Sequence, residues 1–220
     1  MFKSTVAFSF QSAQVPQVSV ESITTTAVTL NVPSQNLVQN VTLAADCLSV
    51  LGKEFCQWFY KCLNSQNPSS IEPRSEWNKN YFWKDATYTF NFNGPHQRLE
   101  KYNGAATVSS RLARLVQQEA ISFIPETESN CLRCVNSSQG TVVVGVAGTV
   151  CKGSSCLGIF EQVFQLIRTT IESSYWIIKH VHLNIQAQEN YPQSGMLIPK
   201  PQLQYQDNEL QVFFHSVENS

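Results

Sequence analysis

Apolar residues recur along this chain with two different periods, and the change from one to the other divides it. Phe55, Trp58, Phe59, Cys62 and Leu63 fall at i, i+3, i+4, i+7 and i+8, the stripe of an amphipathic helix packed on a core. "NSQNPSS" ends that helix, because the residue before Pro68 is pushed out of the α region. "WNKNYFWKDATYTFNF" follows, an aromatic segment that ends in strand alternation, and "NGPH" turns the chain. The spacing then predicts a second helix from about Gly104 to Gln118, with Val108, Leu112, Leu115 and Val116 on one face.

Beyond it the pattern is that of strands. They are expected around Ile121 and over Cys131–Val135, Thr141–Cys151, Leu157–Arg168 and Tyr175–Gln186, with turns at "NSSQG", "KGSS" and "IESS". Helices followed by an antiparallel meander predict an α+β domain over residues 47–187. Residues 1–46 carry only Lys3, Glu21 and Asp46 as charges and little bulky apolar material, which predicts an extended or disordered lead-in. Residues 188–220 form a Pro-containing tail, in which Leu210, Phe213 and Phe214 share one helical face.

Composition narrows the function classes. The chain is 42% hydrophobic with 13 Phe and 4 Trp, enough for an aromatic core. Charged residues are 14%, against roughly 25% in ordinary soluble domains. A net charge of −1 and the absence of a basic cluster leave no field that would gather nucleic acid or an anionic membrane. No apolar run approaches the ~20 residues of a membrane span. "MFKSTVAFSF" is too broken for a secretory core and too poor in Arg for a mitochondrial presequence. The expected setting is therefore intracellular, cytoplasm or nucleus, with seven cysteines, an odd number, kept as thiols.

The order of elements and the residues themselves resemble the nuclear transport factor 2-like (NTF2-like) fold over residues 48–187. The aromatic first helix, "FWKDATYTF", "YNGAATVSSRLARL", "VVVGVAGTV", "GIFEQVFQLI" and "YWIIKHVHLNIQ" carry the match. "EFCQWFYKCLNSQNP", "YNGAATVSSRL" and "VGVAGTV…CLGIFEQVFQLIR" are similar to the uncharacterised vertebrate family named for open reading frame thirty-eight of human chromosome three. The resemblance implies a cone, with N-terminal helices packed in the concave face of a curved antiparallel sheet. It also implies a link to regulation of apoptosis. Family members carry a helical region ahead of this domain that residues 1–46 do not resemble, so a truncated or alternative form is expected.

Several residues invite chemistry. "CLRC" and "CKGSSC" give C-x2-C-x16-C-x4-C, close to a zinc ribbon. If "NSSQG" turns a hairpin, however, Cys134 and Cys151 stand about ten residues apart along it, ~30 Å, while Zn–S bonds are about 2.3 Å. Cys131 and Cys134 also face opposite sides of a strand. The hairpin is the better reading, and neither metal nor cofactor is expected. Cys151 and Cys156 flank a four-residue loop and face each other across it. Only Lys152 stands near enough to lower a thiol pKa there. His180 and His182 alternate onto one face of the last strand with Trp176, Ile178 and Asn184; with no third ligand to nominate, they read as polar residues on a half-solvated sheet.

The resemblance implies an internal pocket that enzymes of the superfamily use, with a carboxylate or His base aimed into it. "KDATYTF" aligns with the isomerase strand, but the place of the base is Phe90 here. Tyr60, Tyr88, His180 and His182 are the remaining candidates for a small-molecule-binding or lyase/isomerase-like activity. A core filled by Phe and Trp, with no catalytic residue, is more economical, and fold alone licenses no activity. Ran, the small GTPase bound by the transport factor, is not expected as a partner, because "KGSSCLG" lacks the acidic residues of the corresponding hairpin.

The remaining signal is a surface. "TVVVGVAGTV" is apolar on both alternating faces, Val142, Val144, Val146 and Val150 on one and Val143, Gly145 and Ala147 on the other. Helices can bury only one of them. NTF2-like domains commonly pair through the other, so a homodimer through the outer sheet face is expected, or docking there of an unknown protein partner or of the chain's own Leu210, Phe213 and Phe214.

Overall fold

The computed structural model describes residues 45–128, 130–168, 175–187 and 200–214. The expected lead-in lies outside them apart from its last two residues, which begin the first helix. That helix, α1 (Ala45–Asn64), carries the predicted stripe. Phe55, Phe59 and Leu63 are fully buried, while Trp58, expected to be buried with Phe59, is only partly so. The two rings separate because Phe59 meets Phe164 edge-on at 4.7 Å, whereas Trp58 sits at the margin against Tyr81. After the helix, Asn64 exchanges two hydrogen bonds with the backbone of Phe123, and Asn67 donates to Ile121 O. These amides pin the helix end to the sheet edge.

The strands are β1 (Phe82–Asn93), β2 (Arg98–Asn103), β3 (Ser122–Glu126), β4 (Leu132–Asn136), β5 (Val142–Lys152), β6 (Ser155–Arg168) and β7 (Trp176–Ala187). A second helix, α2 (Ala105–Glu119), buries Val108, Leu112, Leu115 and Val116 as its spacing predicts. It starts at Gly104, whose φ of +91° suits glycine. The sheet runs β2-β1-β7-β6-β5-β3, with β4 also on β5. β4 covers Val142–Val146 and β3 covers Ala147–Cys151, so two short strands share one edge of β5 in tandem. Pairings are antiparallel except between β1 and β7, which run parallel. The result is the α+β, NTF2-like cone that the resemblance implies, except that its sheet is mixed where an antiparallel one was expected, because β1 lies parallel to β7.

Three further details depart from expectation. β2 escapes the hydrophobic pattern because its "RLEKYN" is a charged edge strand that buries nothing deeply. The loop at "KGSS" is tighter than four residues: Lys152 pairs with Ser155, leaving only Gly153 and Ser154 to turn. In β7, Gln165 pairs with His180 but Leu166 pairs with Ile178, so Lys179 is an extra residue, a bulge. The bulge reverses the alternation. Trp176 and Ile178 point into the core, and His180 and His182 do not share their face as the plain period requires. Among the described residues no helix is long and apolar enough to cross a membrane.

The core makes a direct prediction. Phe59→Ala is expected to cost about 3–5 kcal/mol, a large part of the 5–15 kcal/mol that holds a typical domain. Trp58→Ala should cost less, because its ring is only half-buried. Urea unfolding of both variants checks this; equal losses would mean that the helix is rotated from the position described.

Candidate functional site

The concave side of the cone is filled rather than open. Phe55, Phe59, Tyr60, Phe123, Phe160 and Phe164 are all at most 2% exposed and pack ring against ring at centroid distances of 4.7–6.4 Å. Tyr60 lies among them, and its hydroxyl donates to Gln162 Oε1 at 2.7 Å. Tyr88 is equally buried beside Tyr102. Burial pushes both phenols well above their ordinary range, so neither ionises near neutral pH.

A cavity of about 290 Å³ lies at an end of the cone. Phe90, Leu115, Ile121, Val150 and Ile185 form its floor, with Arg98, Glu119 and Cys156 as its polar groups. Arg98 and Glu119 are exposed to solvent, and the Arg98 guanidinium lies 5.3 Å from the Phe92 ring centroid. Tyr60, Tyr88, His180 and His182 do not line this cavity. Phe90, which stands where the isomerase base would, is buried in the core. The two histidines are on the opposite, convex face, which corrects their reading as pocket residues; the bulge at Lys179 is the reason.

That convex face is where the sequence-predicted surface residues meet. Residues 200–214 cross it and end in α3 (Asp207–Gln211) and a 3-10 turn (Val212–Phe214). Leu210 is fully buried against Val143 and Val163, and Leu203 packs on Ala147 and Cys131. Gly145 lies beneath both leucines. A Cβ there would come within 3.1 Å of Leu203 and of Leu210, so both leucines would have to shift by a few tenths of an ångström to accept one. Phe213 covers the imidazoles of His180 and His182 at 5.9 and 5.8 Å, and Phe214 packs beside it. Backbone and polar contacts fasten the strap: Leu203 N donates to Asn130 O, Gln204 N to Glu161, and Arg133 pairs with Asp207 at 3.3 Å.

Sequence reasoning nominated Val143, Gly145, Ala147, Leu210, Phe213 and Phe214, and the structure brings them together. It missed Leu203, Tyr205 and Val163. The first two alternate as a strand does, a weak signal in a segment with two prolines nearby. The cysteines divide by face. Cys131 donates to Pro201 O under the strap, while Cys134 faces α1. Cys134 pairs with Val144, seven residues before Cys151 and so about 23 Å of strand away.

The DUF4518 C-terminal domain family matches residues 49–196. The chain belongs to this family. Its relatives include the uncharacterized protein C3orf38 homologs of Mus musculus and Rattus norvegicus, each 41% identical over 167 residues. The match takes in 76% of this chain and 47% of each relative, so the chain spans about half the length of the curated relatives it matches. Among solved structures, the DUF4518 domain is similar to the yeast UBP3-associated protein BRE5, with 10% identity and a TM-score of 0.47 over 67% of this chain and 100% of that one. It is similar also to nuclear transport factor 2 from Cryptosporidium parvum, with 16% identity and a TM-score of 0.45 over 63% and 94%.

The burial of His180 and His182 predicts a domain whose stability falls in acid. Burial, with a smaller effect of His182, lowers His180 from 6.5 to about 4; burial lowers His182 too. In the unfolded chain both would take up protons at higher pH than in the fold. The stability held by His180 is thus complete above about pH 6.5 and lost as the pH falls through about 4. It amounts to on the order of 3 kcal/mol. Urea midpoints measured between pH 7 and pH 4 are expected to fall less steeply in His180→Gln than in the parent chain. Parallel slopes would show that His180 is not buried as described.

Proposed function

We propose that the DUF4518 domain is a non-enzymatic protein-interaction module whose docking surface is the convex face of its sheet. The observation that carries this reading is the distribution of apolar surface. The concave side, where an enzyme of this fold would hold substrate, is packed with aromatic rings, while the convex side is apolar enough to require an apolar strap. Val143, Gly145, Ala147 and Val163 form the floor of that surface, and Leu203, Leu210 and Phe213 fill it. A partner presenting comparable apolar side chains would compete with the strap, and so would the same face of a second copy. The family resemblance supplies regulation of apoptosis, inside the cell, as the biological setting.

A second reading, a small-molecule-binding or lyase/isomerase-like enzyme, draws on the cavity of about 290 Å³. Its polar groups are an exposed Arg98 and an exposed Glu119. A general base needs a position held within hydrogen-bond reach of the proton it takes, and side chains in open solvent are poorly held.

Light scattering tests the interaction reading. The whole chain is expected to be monomeric, its docking face occupied by its own strap. Leu210→Asp, and a chain shortened to end at Gln188, are expected to self-associate or to lose solubility as the face is uncovered. If both stay monomeric and as soluble as the parent, the convex face has no tendency to bind and the reading fails.

A further inference from the structure

The hairpin that joins β5 to β6 turns on two residues, Gly153 and Ser154, and Gly153 has the left-handed φ of +58° that such turns demand. The pair beside the turn is Lys152 and Ser155, and the next is Cys151 and Cys156. In a two-residue hairpin the pair beside the turn exchanges backbone hydrogen bonds and the next pair does not. Cys151 and Cys156 therefore occupy a non-hydrogen-bonded position, where facing Cα atoms lie about 4.5 Å apart. Disulfides span Cα separations of about 4.4–6.8 Å. A backbone at this position needs little movement to accept one.

The side chains agree with the backbone. The two thiols are close enough to act on each other: burial chiefly raises the Cys151 thiol, Thr149 opposes it and the neighbouring Cys156 raises it further, while Cys156 Sγ reaches Gly158 O at 3.6 Å. Both residues are partly exposed, so an oxidant in water reaches them. Cys56 and Cys134, which also lie near each other, differ on this point. They sit between α1 and β4, with Cys56 fully buried, and burial pushes the Cys134 thiol up to about 12. On the other side of the bulge at Leu157, Val150 pairs with Gly158, and Cys156 itself borders the cavity.

We propose that Cys151 and Cys156 are a reversible dithiol–disulfide pair, oxidised by hydroperoxides, that staples the tip of the β5–β6 hairpin at the mouth of the cavity. With hydrogen peroxide, one thiolate takes an oxygen as the O–O bond breaks, giving a sulfenic acid and, after proton transfer, water. The second thiolate attacks that sulfur. The S–S bond forms as the S–O bond breaks, and the departing hydroxide is protonated to a second water. Two thiols lose two electrons in all, and the peroxide takes them. A small dithiol reverses the step by thiol–disulfide exchange.

The test uses the full chain, reduced and then treated under native conditions with stoichiometric hydrogen peroxide. Remaining thiols are alkylated with iodoacetamide, and the protein is digested with trypsin without reductant. Cleavage after Lys152 separates the two cysteines, so their disulfide appears as two peptides joined with the loss of two hydrogens. Expected are that joined pair, complete loss of alkylation at both positions, and full recovery after dithiothreitol. Cys151→Ser and Cys156→Ser should each abolish the joined pair, while Cys47→Ser leaves it unchanged. Continued alkylation of both cysteines would overturn the proposal. So would a sulfinic acid at Cys156 as abundant in the parent chain as in Cys151→Ser, because a resolving partner must protect it.

Discussion

β5 carries buried side chains on both of its faces. Val142, Val144, Val146 and Val150 point into the cone, and Val143, Gly145 and Ala147 point away from it, within a strand buried from Val142 to Gly148. A strand in an antiparallel sheet with one solvated face alternates apolar and polar residues. This one does not, so it must be covered twice. Inside, α1 and its aromatic stripe provide the cover, and the rings that result pack the concave side, with a cavity at one end. Outside, no second helical layer exists among the described residues, and the strap of residues 200–214 takes its place.

The two covers differ in kind. α1 is 20 residues long and packs against both β3 and β4, so it belongs to the cooperative core. α3 has five residues, far fewer than the roughly 12–15 that an isolated helix needs to be even marginal in water. A capping box between Gln206 and Glu209 steadies its first turn, but the helix owes its existence to the groove over Gly145. Strap and groove therefore form together, and removing one leaves the other without structure or without cover. Gly52 shows the same economy on the inner side. A Cβ there would collide with Cys134 Sγ, so α1 gives up the roughly 1 kcal/mol that alanine would add to its helix in order to approach β4.

What was legible in the sequence had a short period. The faces of α1 and α2, the double-sided β5 and the helical face of Leu210 and Phe213 all follow from spacing within ten residues or so, and the resemblance to the NTF2-like fold arranges them. What was not legible depends on register or on distant partners. β2 hides because an edge strand has no need of apolar residues. The bulge at Lys179 cannot be read from "YWIIKHVHLNIQ", whose alternation is unbroken as text; it exists because β6 and β1 both pair across it. Nor does the spacing say that a Gly on β5 and two leucines some sixty residues later occupy one site.

The histidines show how such long-range facts reassign chemistry. A His-x-His pair on an open sheet face is a plausible beginning for a metal or acid–base site. Here the bulge sends the pair to the convex side, and Phe213 then lies over both rings. Thr87 Oγ1 meets His180 Nδ1 at 2.6 Å, which fixes the ring, and the covering Phe213 disfavours its charged form by excluding water. An uncharged imidazole in that position is a flat, mostly apolar platform, and its hydrogen bond is satisfied within the sheet. The pair is thereby converted from chemistry to packing. At the rim of the cavity, by contrast, Cys156 stands beside Cys151, outside the aromatic packing.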